Sequence, residues 1–103
     1  MIILPANVAA LFLGEAVDYE ELTVDNVVRT LNAAKLAASH YVWFQMAGGP
    51  IRWTVHGLAD PTTSFGIQVF DLEQSEGMSK TATKWRFIRE GASNGVVRAV
   101  YYR

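Results

Sequence analysis

At 103 residues, half of them apolar and 12% aromatic, the chain is one domain's worth of sequence with enough apolar material for a packed core. It has no cysteine, which excludes disulfides, thiolate nucleophiles and Cys-based zinc sites, and its net charge of −1 gives no support to bulk nucleic-acid binding. The charge is uneven, however. Residues 1–28 carry five acids and no Lys or Arg, a charge of −5, whereas residues 29–103 carry all nine basic residues and the other five acids, a charge of +4. Such an asymmetry predicts that the acidic segment lies against a basic surface, its own or a neighbour's, or else is a solvated arm.

Met1–Leu13 is apolar, with Pro5 and Asn7 interrupting it. It lacks the positive n-region of a secretory leader and is far shorter than the ~20 residues a membrane span requires, so neither is expected. Pro5–Leu13 fits a short helix stopped by Gly14 as well as it fits an extended segment. Glu15–Asp25 is polar with isolated apolar residues, which reads as arm rather than core. The boundary therefore falls between an arm at 1–26 and a domain at 27–103. Ordering an arm costs backbone entropy that a small domain has little spare apolar surface to offset. Ile3, Leu4, Val8, Leu11, Phe12, Leu13, Val17 and Tyr19 are accordingly its candidate partner-binding residues, ordered on assembly.

Asn26–Leu36 is open between helix and strand, because Val27, Val28, Leu31, Ala34 and Leu36 fit a helical face. His40–Met46 alternates as a strand, Val42, Phe44 and Met46 on one face and Tyr41, Trp43 and Gln45 on the other. Ala47–Pro50 is a turn, and Ile51, Trp53 and Val55 then oppose Arg52, Thr54 and His56, so residues 40–56 predict an antiparallel hairpin. Gly57–Ser64 is a loop stiffened by Pro61 and capped by Asp60. Phe65–Leu72 resumes as a strand. Glu73–Thr83 is polar and reads as a long surface loop. Lys84–Arg89 and Val96–Tyr102 are the last strands, joined through Asn94-Gly95, a pair suited to left-handed turn positions. Several short strands punctuated by turn residues predict an all-β domain, a small antiparallel β-sandwich or partly closed barrel with an extended N-terminal arm.

Little of this carries reaction chemistry. His40 and His56 lack the converging third ligand a metal needs, with Asp60 the one nearby acid. No nucleophile elbow surrounds Ser39, Glu20-Glu21 sit where nothing raises a carboxyl pKa, and Gly48-Gly49-Pro50 lacks the Lys and helix of a phosphate loop. No enzymatic activity, cofactor or metal is expected. Tyr41, Trp43, Trp53, Trp85, Tyr101 and Tyr102 would suit a glycan-stacking platform or a sandwich core. Burial favours the core for Trp53 and Phe87, and leaves Trp43, Tyr101 and Tyr102, with Arg98, as candidate subunit contacts. Arg86, Arg89, Arg98 and Arg103 near aromatics raise nucleic acid as the weaker reading.

Ile51-Arg52-Trp53, Gly57, Pro61-Thr62, Gly66, Arg86-Phe87-Ile88 and Tyr101-Tyr102, in that order and spacing, resemble a small β-sandwich module of tailed-bacteriophage virion proteins. His56 departs from the pattern, which has Asp before the glycine. The resemblance covers residues 27–103 and implies that Asn26–Leu36 is the module's first strand. It also implies a homo-oligomeric capsid-decorating cement protein, assembled in the host cytoplasm, that binds the major capsid protein or other virion subunits without a membrane. The alternative is a glycan-binding or fibre accessory module of a virion.

Overall fold

The computed structural model describes residues 15–103. These residues build two antiparallel sheets packed face to face, an all-β sandwich. In chain order the elements are β1 (Ala16–Val24), α1 (Ala33–Ala37), β2 (Tyr41–Gly48), β3 (Ile51–Thr54), β4 (Ile67–Val69), β5 (Gln74–Met78), α2 (Ser79–Ala82), β6 (Arg86–Arg89) and β7 (Gly95–Tyr102). One sheet has four strands in the order β1-β7-β2-β5, the other three in the order β4-β3-β6.

The core lies where the alternating strands face each other. Val42, Phe44 and Met46 of β2 and Val97, Ala99 and Tyr101 of β7 are fully buried against Ile51, Trp53 and Phe87 of the second sheet. Its centre is a cluster of rings. Phe44 sets its edge to Trp53 at 5.3 Å and to Phe87 at 5.6 Å, Trp53 meets Trp85 edge-on at 5.1 Å, and Trp53 stacks on Phe87 at 6.1 Å. Each such pair adds about 0.5–1.5 kcal/mol beyond the area it buries. The core placement expected for Trp53 and Phe87 is what the fold uses, and Trp85 joins them.

Five sequence expectations change. Ala16–Val24, placed in the arm, is an edge strand paired with β7 from Ala16↔Tyr102 to Val24↔Gly95. Its alternation is hidden because two inward positions are acids with partners. Glu20 accepts from the Asn32 amide at 3.0 Å and from the Tyr101 hydroxyl, and Asp18 accepts from Lys35 Nζ at 2.7 Å. The acidic segment thus lies against the chain's own basic residues, through Asp18–Lys35, Asp25–Arg29 at 2.7 Å and Glu21–Arg98 at 3.7 Å. The candidate partner-binding residues Ile3, Leu4, Val8, Leu11, Phe12 and Leu13 lie outside the described residues.

The segment 26–36 is not a strand. Arg29 makes a single bridge to Phe87, and the chain then turns into α1, where Ala-rich sequence and an Asn32 side chain accepting from the Lys35 amide at 3.0 Å favour a helical turn. Residues 40–56 hold two strands but no hairpin, since β2 and β3 belong to different sheets. Alternation sets a strand's faces, not its partner, and Gly48 (φ +86°) turns the chain across from one layer to the other. The same holds for β6 and β7. Gly95 is not a left-handed turn residue. It is a strand residue with no room for a side chain, since a Cβ there would lie 2.6 Å from the Gly49 carbonyl oxygen and 2.8 Å from Ile51 Cγ2.

Residues 73–83 are not one long loop. Gln74–Met78 pairs with β2 as β5, and Ser79–Ala82 makes one helical turn. The inward positions of β5 are Ser75 and Gly77, opposite Phe44 and Val42. Gly77 has no room for a side chain because Trp85 fills the space over it, where a Cβ would stand 2.7 Å from its ring.

Candidate functional site

The outward face of the four-stranded sheet gathers most of the described residues that the sequence marks for contact. Strand register places Tyr19, Val100, Trp43 and Glu76 side by side across β1, β7, β2 and β5. The next row is Glu21, Arg98, Gln45 and Gln74, and the row on the other side includes Tyr102, Tyr41 and Met78. Because facing residues in such rows stand about 4.5–5.5 Å apart, Tyr19, Val100 and Trp43 form a continuous apolar band. Tyr19 is 48% exposed and Met78 54%, while Tyr41, Trp43 and Val100 are half-buried.

Local bonds hold this face in shape. The Tyr19 hydroxyl donates to Glu21 Oε1 at 2.8 Å, and the same oxygen lies 3.7 Å from Arg98 Nε. Glu21 therefore ties the aromatic band to the polar row beside it. Hydrogen bonding to that carboxylate raises the Tyr19 pKa. On β2, burial and then the neighbouring Glu76 carboxylate push the Tyr41 phenol up to about 12. Both phenols stay protonated at neutral pH, as donors at the rim of the band.

Val17 is exposed where the β1–β7 register shifts between Ala16 and Asp18, at the end of the same strand. Tyr101 and Tyr102 are not contact residues. Tyr101 is inward and fully buried, its hydroxyl donating to Glu20 Oε1 at 2.5 Å, with burial raising its pKa. Tyr102 shares the outward row of Tyr41 but is only 1% exposed. The sequence places both on a closing strand. It does not reveal that β7 is an interior strand with a neighbour on each edge, which is why they are covered. Trp53 and Trp85 are buried too, so the six aromatics do not form a single stacking platform.

His56 and His40 are both exposed, and His56 Nδ1 accepts from the Leu58 amide at 3.0 Å. It is thus His56, rather than Asp60, whose side chain caps that loop. Among the described residues no group of three or more His, Cys, Asp or Glu could hold a metal ion, and no helix is long and apolar enough to cross a membrane.

A second feature has no sequence precedent. Trp53, Thr54, Val55, His56, Phe65, Gly66 and Ile67 line an open, largely apolar groove of about 330 Å³ at the end of β3 and β4. The alternation of Phe65, Ile67 and Val69 predicts one buried face, yet only Val69 is buried, while Phe65 is 48% and Ile67 53% exposed. The reason is position, since β4 is a three-residue edge strand whose first half overhangs the core. Gly66 (φ +120°) brings the backbone so close to Trp53 that any side chain there would crowd it. No family model matches this chain, nor does any curated protein or any solved structure.

Proposed function

We propose that the chain is a non-enzymatic structural protein that adheres to a protein partner through the outward face of its four-stranded sheet. The observation that carries the reading is the Tyr19–Val100–Trp43 band with the Glu21–Arg98 pair beside it. Aromatic residues with an adjacent Arg are the side chains that contribute most to protein–protein contacts, and a rigid sheet presents them at little entropic cost. The finer reading is a capsid-decorating cement protein of a tailed bacteriophage, repeated over a coat lattice and self-associating as a homo-oligomer. It rests on the resemblance carried by residues 51–66 and 85–102. In that setting many copies adhere without any single tight interface.

The test is co-sedimentation with purified coat shells of tailed bacteriophages, with shell melting as a second readout. The expected outcome is saturable binding that raises shell heat resistance, weakened about tenfold or more by Trp43→Ala together with Arg98→Glu. Absence of binding to any shell, alongside binding to a glycan array that requires Trp43 and Tyr41, would overturn it in favour of a glycan-binding accessory module.

A further inference from the structure

We infer that the groove at the end of β3 and β4 binds a small, neutral aromatic compound bearing a carbonyl oxygen, with the Trp53 indole N–H as its hydrogen-bond donor. The first observation is an orphaned donor. Trp53 is 8% exposed, and among the described residues its Nε1 is buried without a hydrogen-bond partner. The indole stacks on Phe87 and meets Phe44 and Trp85 edge-on, and a Trp ring offers no acceptor in return. A buried N–H without a partner costs free energy, and native structures keep few of them. Ile67 stands directly opposite Trp53 across the β3–β4 ladder, so these two side chains share a face and both line the groove. Thr54 Oγ1 is buried and unpaired as well, but its side chain leaves β3 on the other face.

The second observation is the space beside that donor. The groove holds about 330 Å³. An apolar cavity of about 150 Å³ takes one benzene ring, so there is room here for about two. Val55, Phe65 and Ile67 are 37%, 48% and 53% exposed, apolar area that a flat aromatic ligand would cover. The wall is also held in place. Thr62 and Phe65 exchange backbone hydrogen bonds at 2.9 and 3.3 Å, and Arg52 Nη1 donates to the Gly66 carbonyl at 2.9 Å. A preformed, mostly apolar recess with few polar groups is the usual form of a small-molecule site.

The polar groups decide the class of ligand. His56 Nδ1 accepts from the Leu58 amide, which leaves the ring proton on Nε2 and makes the exposed edge of this lining residue a second donor. Among the described residues that line the groove, none is Asp, Glu, Lys or Arg. A charged ligand would lose its hydration there without gaining a counter-charge, whereas a carbonyl oxygen meets N–H donors. A sugar, with hydroxyls all round its ring, needs more polar partners than these. Because Trp53 Nε1 is covered, the carbonyl reaches it through a small rotation of the indole.

The probe is 2-acetylnaphthalene, titrated into the full chain while the assigned indole N–H signals of the tryptophans are followed by NMR. Its hydrocarbon counterpart, 2-isopropenylnaphthalene, has the same shape and no acceptor. The expected result is saturable binding that moves the Trp53 N–H signal downfield, with the hydrocarbon binding about fivefold more weakly or worse. Ile67→Asp, at a position exposed enough to leave the core untouched, is expected to weaken binding about tenfold or more. Equal affinity for the two compounds would overturn the assignment of Trp53 as donor. Absence of saturable binding, or binding that Ile67→Asp leaves unchanged, would overturn the site itself. Neither measurement involves the outward face of the four-stranded sheet, so the outcome is independent of the partner proposed there.

Discussion

Replacing Gly77 by alanine sets a Cβ 2.7 Å from Cζ2 and 3.2 Å from Cη2 of Trp85. The indole has nowhere to retreat, since it is 4% exposed and held by Phe44 at 5.7 Å and Trp53 at 5.1 Å. Overfilling a packed core costs about 1–3 kcal/mol. The alanine returns about 0.4–1 kcal/mol by restricting the unfolded chain, since Gly77 does not need a positive φ. The net loss is therefore roughly 1.5 kcal/mol, or a fall in Tm of about 6–12 °C for a domain of this size. Thermal and urea unfolding followed by tryptophan fluorescence would measure it. Gly91→Ala is the control, because a Cβ there meets nothing within 4 Å, and it should be neutral or slightly stabilising. Trp85→Phe removes the atoms in conflict, so the double variant should lose less than the two single losses added together. If Gly77→Ala were as stable as the parent, or additive with Trp85→Phe, the account of why β5 carries small inward residues would be wrong.

Asn32→Ala removes the side-chain cap of α1 and should cost about 1 kcal/mol, with faster exchange of the Lys35 amide. Leu72 holds a left-handed backbone (φ 69°) while 65% exposed, so Leu72→Asn should gain about 0.5–1 kcal/mol in urea unfolding. Arg29 and the Val27 amide hold the Asp25 carboxyl down at about 2, below its ordinary 3.8. A depressed carboxylate contributes stability above its unfolded pKa and loses it as pH falls through the folded one. Asp25 should thus titrate near pH 2 by NMR, and Asp25→Asn should flatten the stability profile between about pH 4 and 2. Tyr101 works in the opposite sense. Burial raises its pKa, so its contribution is intact below pH 10 and declines above it, and Tyr101→Phe should lessen the alkaline loss seen by absorbance titration.

Strands whose inward residues are large and apolar were legible in the sequence. Val42, Phe44 and Met46 announce β2, and Ile51 and Trp53 announce β3. Two strands were not legible, for opposite reasons. β1 turns Asp18 and Glu20 inward, where Lys35, Asn32 and Tyr101 satisfy them, so its buried side looks like solvent-facing sequence. β5 turns Ser75 and Gly77 inward, and a tryptophan from elsewhere occupies the space over Gly77. In both cases the missing signal sits on another segment. Pairing was illegible for a related reason, since nothing local to Ala47–Pro50 distinguishes a hairpin turn from a step between layers. Of the candidate contact residues, Tyr19, Trp43 and Arg98 meet on one face, but only the register brings them there. The groove leaves no trace in the alternation of β4, because overhang is a property of the neighbouring strands.

The position of β7 has a consequence for how the molecule comes into being. β1 and β2 are joined in one sheet only through β7, which follows every strand it connects in the chain. During synthesis the first strand must wait, edge unpaired, until some seventy residues later its neighbour emerges. Pairings between such distant segments form slowly, and unpaired edges invite other chains meanwhile. The charges along β1, Asp18, Glu20 and Glu21, suit that interval, since like-charged edges repel one another before the final strand closes the sheet.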